Sequence, residues 1–167
     1  MTITAEQKYH GAAFKELIDG LANLEIPTYY NIKPTNESRS GYVIEVIPKN
    51  QSNFQSIKLG LFIKHSTKRR SPWRYSFQLV HQMEMDLLKD ECDEMFLVLI
   101  AGSDGIASIN YSSLKEVLDD NFADVEWISL SRKHNQSYRV AGSDGRLNST
   151  LPKNTFPNLI IDYISKT

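Results

Sequence analysis

Between Glu45 and Glu84 the sequence contains no Asp or Glu, while Lys49, Lys58, Lys64, Lys68, Arg69, Arg70 and Arg74 all fall there. This acid-free stretch, Val46 to Met83, does not balance its own charge, and such a surface attracts phosphates by releasing their counterions. Its densest part, Lys64 to Arg74, includes His65 and leads into Trp73, Tyr75 and Phe77 interleaved with Arg74. Aromatic faces and guanidinium planes are what unpaired bases stack on. Lys64, His65, Lys68, Arg69, Arg70, Trp73 and Arg74 are therefore candidate nucleic-acid contacts. A second basic segment holds Arg132, Lys133, Arg139 and Arg146 against Asp144 alone. Arg132, Lys133 and Arg139 join the candidate set if folding brings both segments to one face. Between them the balance reverses: from Glu84 to Glu126 there are twelve acids against Lys89 and Lys115. The net charge of −1 thus hides a segregated distribution. Such a pattern also suits a protein-interaction module, with an acidic partner on the basic face or a basic partner on the acidic stretch.

Other chemistries find little support. Cys92 is the only cysteine, so neither an intramolecular disulfide nor a cysteine-based zinc site can form. Its place in Asp90-Glu91-Cys92-Asp93-Glu94 disfavours the thiolate. His10, His65, His81 and His134 lack metal-ligand spacing, and no GxSxG, GxGxxG or Walker A motif is present. No apolar run reaches the roughly 20 residues of a membrane span. The N-terminal MTITAEQKYHGAAF lacks the basic-then-apolar layout of a signal peptide, so a cytoplasmic location is expected.

The elements that would position these residues follow from periodicity. Ala5 to Asn23 reads as an amphipathic helix on Phe14, Leu17, Ile18 and Leu21, with Pro27 blocking continuation. Thr28–Ile32, Tyr42–Ile47 and Leu59–His65 read as strands, and Lys49–Ser56 as a flexible connection. A helix is expected from about Phe77 to Lys89, burying Phe77, Val80, Leu87 and Leu88. Met95–Ile100 is apolar throughout, as a strand covered on both faces requires. Gly102–Gly105 turns into a strand at Ile106–Ile109, and Ser112 or Ser113 caps a helix through Leu118. A strand at Glu126–Ser131, a hairpin about Gly142–Gly145 and a helix at Phe156–Ser165 complete one α/β domain over residues 1–167. The expected architecture is a central mixed sheet flanked by helices, in the order α-β-β-β-α-β, followed by further β and α elements.

That order is similar to the core of the PD-(D/E)XK, or restriction-endonuclease-like, superfamily, over roughly residues 5–100. The resemblance implies an Mg²⁺-dependent nuclease centre: a carboxylate near the start of the second strand and a Glu-x-Lys on the third, together activating water. Lys64 stands where that lysine would be, but Phe62 occupies the place of its acid. Glu37 lies before the second strand, Glu45 at its far end. Glu16 on the first helix and Glu84 on the second are the other acids that such a centre would draw on. The reading implied is a degenerate, nucleic-acid-holding member, with an active endonuclease as the alternative. Ile63 to Phe77 (IKHSTKRRSPWRYSF) also resembles a segment of bacterial and phage proteins and carries no activity with it.

Overall fold

The computed structural model describes residues 1–25, 28–48 and 56–166. Helix α1 (Ala5–Ala22) is followed by strands β1 (Thr28–Pro34), β2 (Gly41–Pro48), β3 (Ile57–Ser66) and β4 (Trp73–Gln78). Then come α2 (Leu79–Glu91), β5 (Glu94–Ala101), β6 (Gly105–Asn110), α3 (Tyr111–Val117), β7 (Val125–Ser131), β8 (Arg139–Gly142), β9 (Gly145–Arg146) and α4 (Thr155–Lys166). The protein is thus α/β, with a mixed sheet ordered β1-β2-β3-β5-β6 and an antiparallel sheet ordered β4-β7-β8-β9. In the first sheet β1–β2, β2–β3 and β5–β6 pair antiparallel, and β3 and β5 pair in parallel. That pairing needs a long crossover, and here β4 and α2 form it.

β5 shows why the layers stack as they do. Its odd residues Met95, Leu97 and Leu99 join a core with Trp73, Tyr75, Phe77, Ile128 and Leu130 of the second sheet. Its even residues Phe96, Val98 and Ile100 join a core with Leu17 and Leu21 of α1 and Ile160 and Ile164 of α4. Side chains alternate across a strand, so an all-apolar run must be covered on both faces. α1 and α4 therefore cover one face of the mixed sheet, and the second sheet with α2 and α3 the other.

The expected order stands, with one strand inserted. β4 occupies Trp73–Gln78, so α2 begins at Leu79 and Phe77 belongs to a strand. The cause is a period of two: Trp73, Tyr75 and Phe77 are buried while Arg74, Ser76 and Gln78 are exposed. α2 instead buries Gln82, Met85 and Leu88, spaced by three, leaving Val80 and Leu87 exposed, contrary to expectation. Ile18, expected on the apolar face of α1, is likewise exposed. Asn110, not Ser112 or Ser113, caps α3, its side chain accepting from Ser113 N at 2.9 Å. Pro27 and residues 49–55 of the expected connection lie outside the described residues.

Candidate nucleic-acid interface

The turn after β3 is built from its own backbone. Trp73 Nε1 donates to Lys68 O at 2.9 Å, and Lys68 Nζ donates to Pro72 O at 2.8 Å. Gly102 N donates to Ser66 O at 2.8 Å, docking the turn against the β5–β6 turn. Gly102 has φ +54°, and a Cβ there would run into Lys68 O, so this contact requires glycine. Ser71 Oγ accepts from Arg132 N at 3.1 Å, which joins the turn to the end of β7. Arg69 and Arg70 are left exposed at its tip.

Beyond the turn, the register of the second sheet sets out a surface. Arg74 pairs with Ser129, Ser129 with Ala141, and Ala141 with Arg146, while Ser131 pairs with Arg139. Directly paired residues point to the same side. The outer face is therefore Arg74, Ser76 and Gln78, then Val125, Trp127, Ser129 and Ser131, then Arg139, Ala141 and Arg146. It carries three exposed arginines and no acid. The Arg74 guanidinium lies 4.3 Å from the centre of the Trp127 ring, a cation–π stack on a solvent-facing sheet.

The two basic segments thus meet, although not every expected residue shares the surface. Lys68, Arg69, Arg70, Arg74, Lys133 and Arg139 are exposed at or beside it. Trp73 is 1% exposed and is bonded to the turn, so it is a core residue and no base stacks on it. Arg132 is also structural. Its side chain is 5% exposed, Nε donates to Asp104 Oδ2 at 2.8 Å, and the guanidinium lies 4.2 Å from the Tyr138 ring centre. Lys64 and His65, successive on β3, point to opposite faces of the mixed sheet. Lys64 packs over the Phe77 ring at 5.3 Å on the second-sheet side. Burial lowers its pKa, and with it that of the nearby His81. His65 stacks on Tyr9 of α1 on the other side.

Among the described residues no three acids, histidines or cysteines gather about Lys64 closely enough to share a metal ion. Phe62, where the nuclease resemblance implies an acid, is fully buried in the apolar core. Among the described residues Lys64 makes no ion pair. Glu84 is buried and accepts from Ser38 Oγ at 2.5 Å, with Oε1 left without a partner. Burial raises its pKa; the Ser38 hydrogen bond opposes this and the Glu37 charge adds to it. Glu37 is exposed. Glu16 lines a separate cleft with Asp19, Asp104 and Tyr138. Glu45 pairs with Lys58 at the far end of the strand.

Two features escaped the sequence reading. Trp127 was legible from the alternation of Val125–Ser131, which sets it on the polar side with Ser129 and Ser131. The other is a cluster behind His65: His10 Nδ1 and Tyr42 Oη lie 2.7 Å apart, and the His10 and His65 rings meet edge to face at 6.2 Å. Burial lowers both histidine pKa values; Glu6 opposes this at each, while His65 adds to it at His10 and Lys64 at His65. Only folding brings residues 9, 10, 42 and 65 together, and no spacing announces it. The Cys92 thiol is pushed up, first by burial and then by Glu91 and Asp93, in line with the acidic run.

Among the described residues no helix is long and apolar enough to cross a membrane. The chain matches no protein-family model, no curated protein and no solved structure. Fold and site together define an α/β protein with an open, basic second sheet.

Proposed function

We propose that this protein binds nucleic acid, in single-stranded form, on the outer face of the second sheet and the turn at its edge. The observation that carries this reading is the register that sets Arg74, Arg139 and Arg146 on one face with Trp127, a face that carries no acid among the described residues. Arginines at the two edges of a sheet suit a phosphate backbone laid across the strands, while a planar cationic stack between them suits unpaired bases. Arg69, Arg70 and Lys68 extend the positive charge along the rim. The helix and strand order resembles a nuclease core, yet among the described residues no group of three metal-ligating side chains gathers about Lys64, and the reading rests on the outer face of the second sheet.

The test is the affinity of the full chain for a short fluorescent oligonucleotide, single- or double-stranded, as salt rises. Five arginines at the surface predict a log–log salt slope of about −2 to −4 with a single strand. Tighter binding to the single strand is expected, and no cleavage with Mg²⁺. Binding insensitive to salt, or confined to an acidic protein partner, would overturn the reading.

A further inference from the structure

The opposite end of the second sheet holds three carboxylates from three elements. Asp119 follows α3, Glu126 lies near the start of β7, and Asp144 sits in the β8–β9 turn. One oxygen of each lies within 4.8 Å of the others. Asp119 and Asp144 are exposed, but Glu126 is 2% exposed, and among the described residues its Oε2 has no hydrogen-bond partner. Among the described residues no Lys, Arg or His forms an ion pair with any of the three. Lys115 of α3 is bound instead to Asp86 at 2.8 Å and Asp120 at 2.9 Å.

The backbone fixes this arrangement. Asp119 N donates to Asp144 Oδ2 at 2.9 Å, and Asp144 N donates to Val117 O at 3.1 Å. Trp127 N donates to Ser143 Oγ at 2.8 Å, and Ser143 N to Trp127 O at 3.0 Å. The three acids are thus held together and cannot relax apart without breaking these bonds. Glu126 meets Asp144 and the Ala123 backbone through hydrogen bonds but has no counter-charge, and a buried carboxylate so placed is unfavourable.

We propose that Asp119, Glu126 and Asp144 form a binding site for a hard divalent cation, calcium or magnesium. The donor set is oxygen only, which suits these ions and offers zinc neither nitrogen nor sulfur. Glu126 supplies the inner ligand through Oε2, and the exposed Asp119 and Asp144 leave room for water to complete the coordination. The ion ties the α3–β7 connection to the β8–β9 turn, beside Trp127. The site is independent of nucleic-acid binding, and each fails or stands without the other.

The experiment uses the full chain stripped with a chelator, then titrated with CaCl₂ or MgCl₂ by calorimetry and by thermal melting. Terbium luminescence excited through Trp127, the neighbour of Glu126, locates the ion. One equivalent is expected to bind with at least one of the two salts, raising the melting temperature by several degrees. Asp119→Asn and Asp144→Asn, both at exposed positions, are expected to weaken binding tenfold or more each, and Glu126→Gln to abolish it. No binding of either ion at millimolar concentration would overturn the proposal, as would equal affinity in the two Asn variants. A melt indifferent to both salts, with Glu126 holding a proton instead, would do the same.

Discussion

The two ends of the second sheet handle charge in opposite ways. At the Arg74–Arg139 end the side chains are exposed and the face carries no acid. At the Glu126–Asp144 end like charges converge on a buried carboxyl whose Oε2 has no partner among the described residues. Exposed guanidinium groups keep their hydration until a ligand replaces it, so collecting them on one face costs the fold little. A buried carboxylate has already lost its water and is stable only with a proton or a cation. The same contrast separates Arg132 from Arg74: the first is enclosed by Asp104 and Tyr138, the second lies open on Trp127. Position in a basic run does not decide whether an arginine serves the fold or a ligand.

The largest expected effect tests that last distinction. Asp104→Ala leaves Arg132 buried without its carboxylate, and loss of about 3–5 kcal/mol is expected by denaturant unfolding. Arg74→Ala, at an open site, should change stability by less than about 1 kcal/mol. Comparable losses in the two would erase the difference between them.

A smaller effect concerns the acidic end. Glu126 has a folded pKa raised from 4.5 to about 7. Its contribution to stability is therefore complete below about 4.5 and is lost as pH rises to about 7, by at most about 3 kcal/mol. In chelator, Glu126→Gln should flatten this window and melt higher than the parent at pH 8. A parent protein with no loss across the window would remove the strain assigned to this cluster.

Smaller still is the stacking contribution. Trp127→Ala is expected to weaken single-stranded binding by about 1–2 kcal/mol, roughly 5- to 30-fold, without altering the salt slope. An acidic protein partner, held by charge alone, would be insensitive to that change.

Much of the fold was legible because its strands are strongly patterned. Met95–Ile100 announced a strand covered on both faces, and the two GSDG segments announced their turns. The strand Trp73–Gln78 was overlooked although its aromatics alternate, because Phe77 also fits the helical spacing that follows. The basic surface was legible as composition, but its membership was not. Trp73 and Trp127 differ in sequence only by the side of their strands on which they fall, and the sheet decides which one is core. The departure of Lys64 and His65 to opposite faces follows from their adjacency on a strand, a period of two that counting charges ignores. Glu126, by contrast, alternates with Trp127 onto the buried side, a polar residue at a core position and thus a signal in the sequence itself. Its meeting with Asp119 and Asp144 depends on turns that pattern does not position.

The most direct measurement is the salt dependence of single-stranded binding in the triple variant Arg74→Ala/Arg139→Ala/Arg146→Ala, compared with the unmodified chain. If the outer face of the second sheet is the interface, the log–log slope should shrink by about 2, three phosphate contacts at about 0.7 each. Affinity at low salt should fall at least tenfold while the melting temperature holds. An unchanged slope in a folded triple variant would contradict the account.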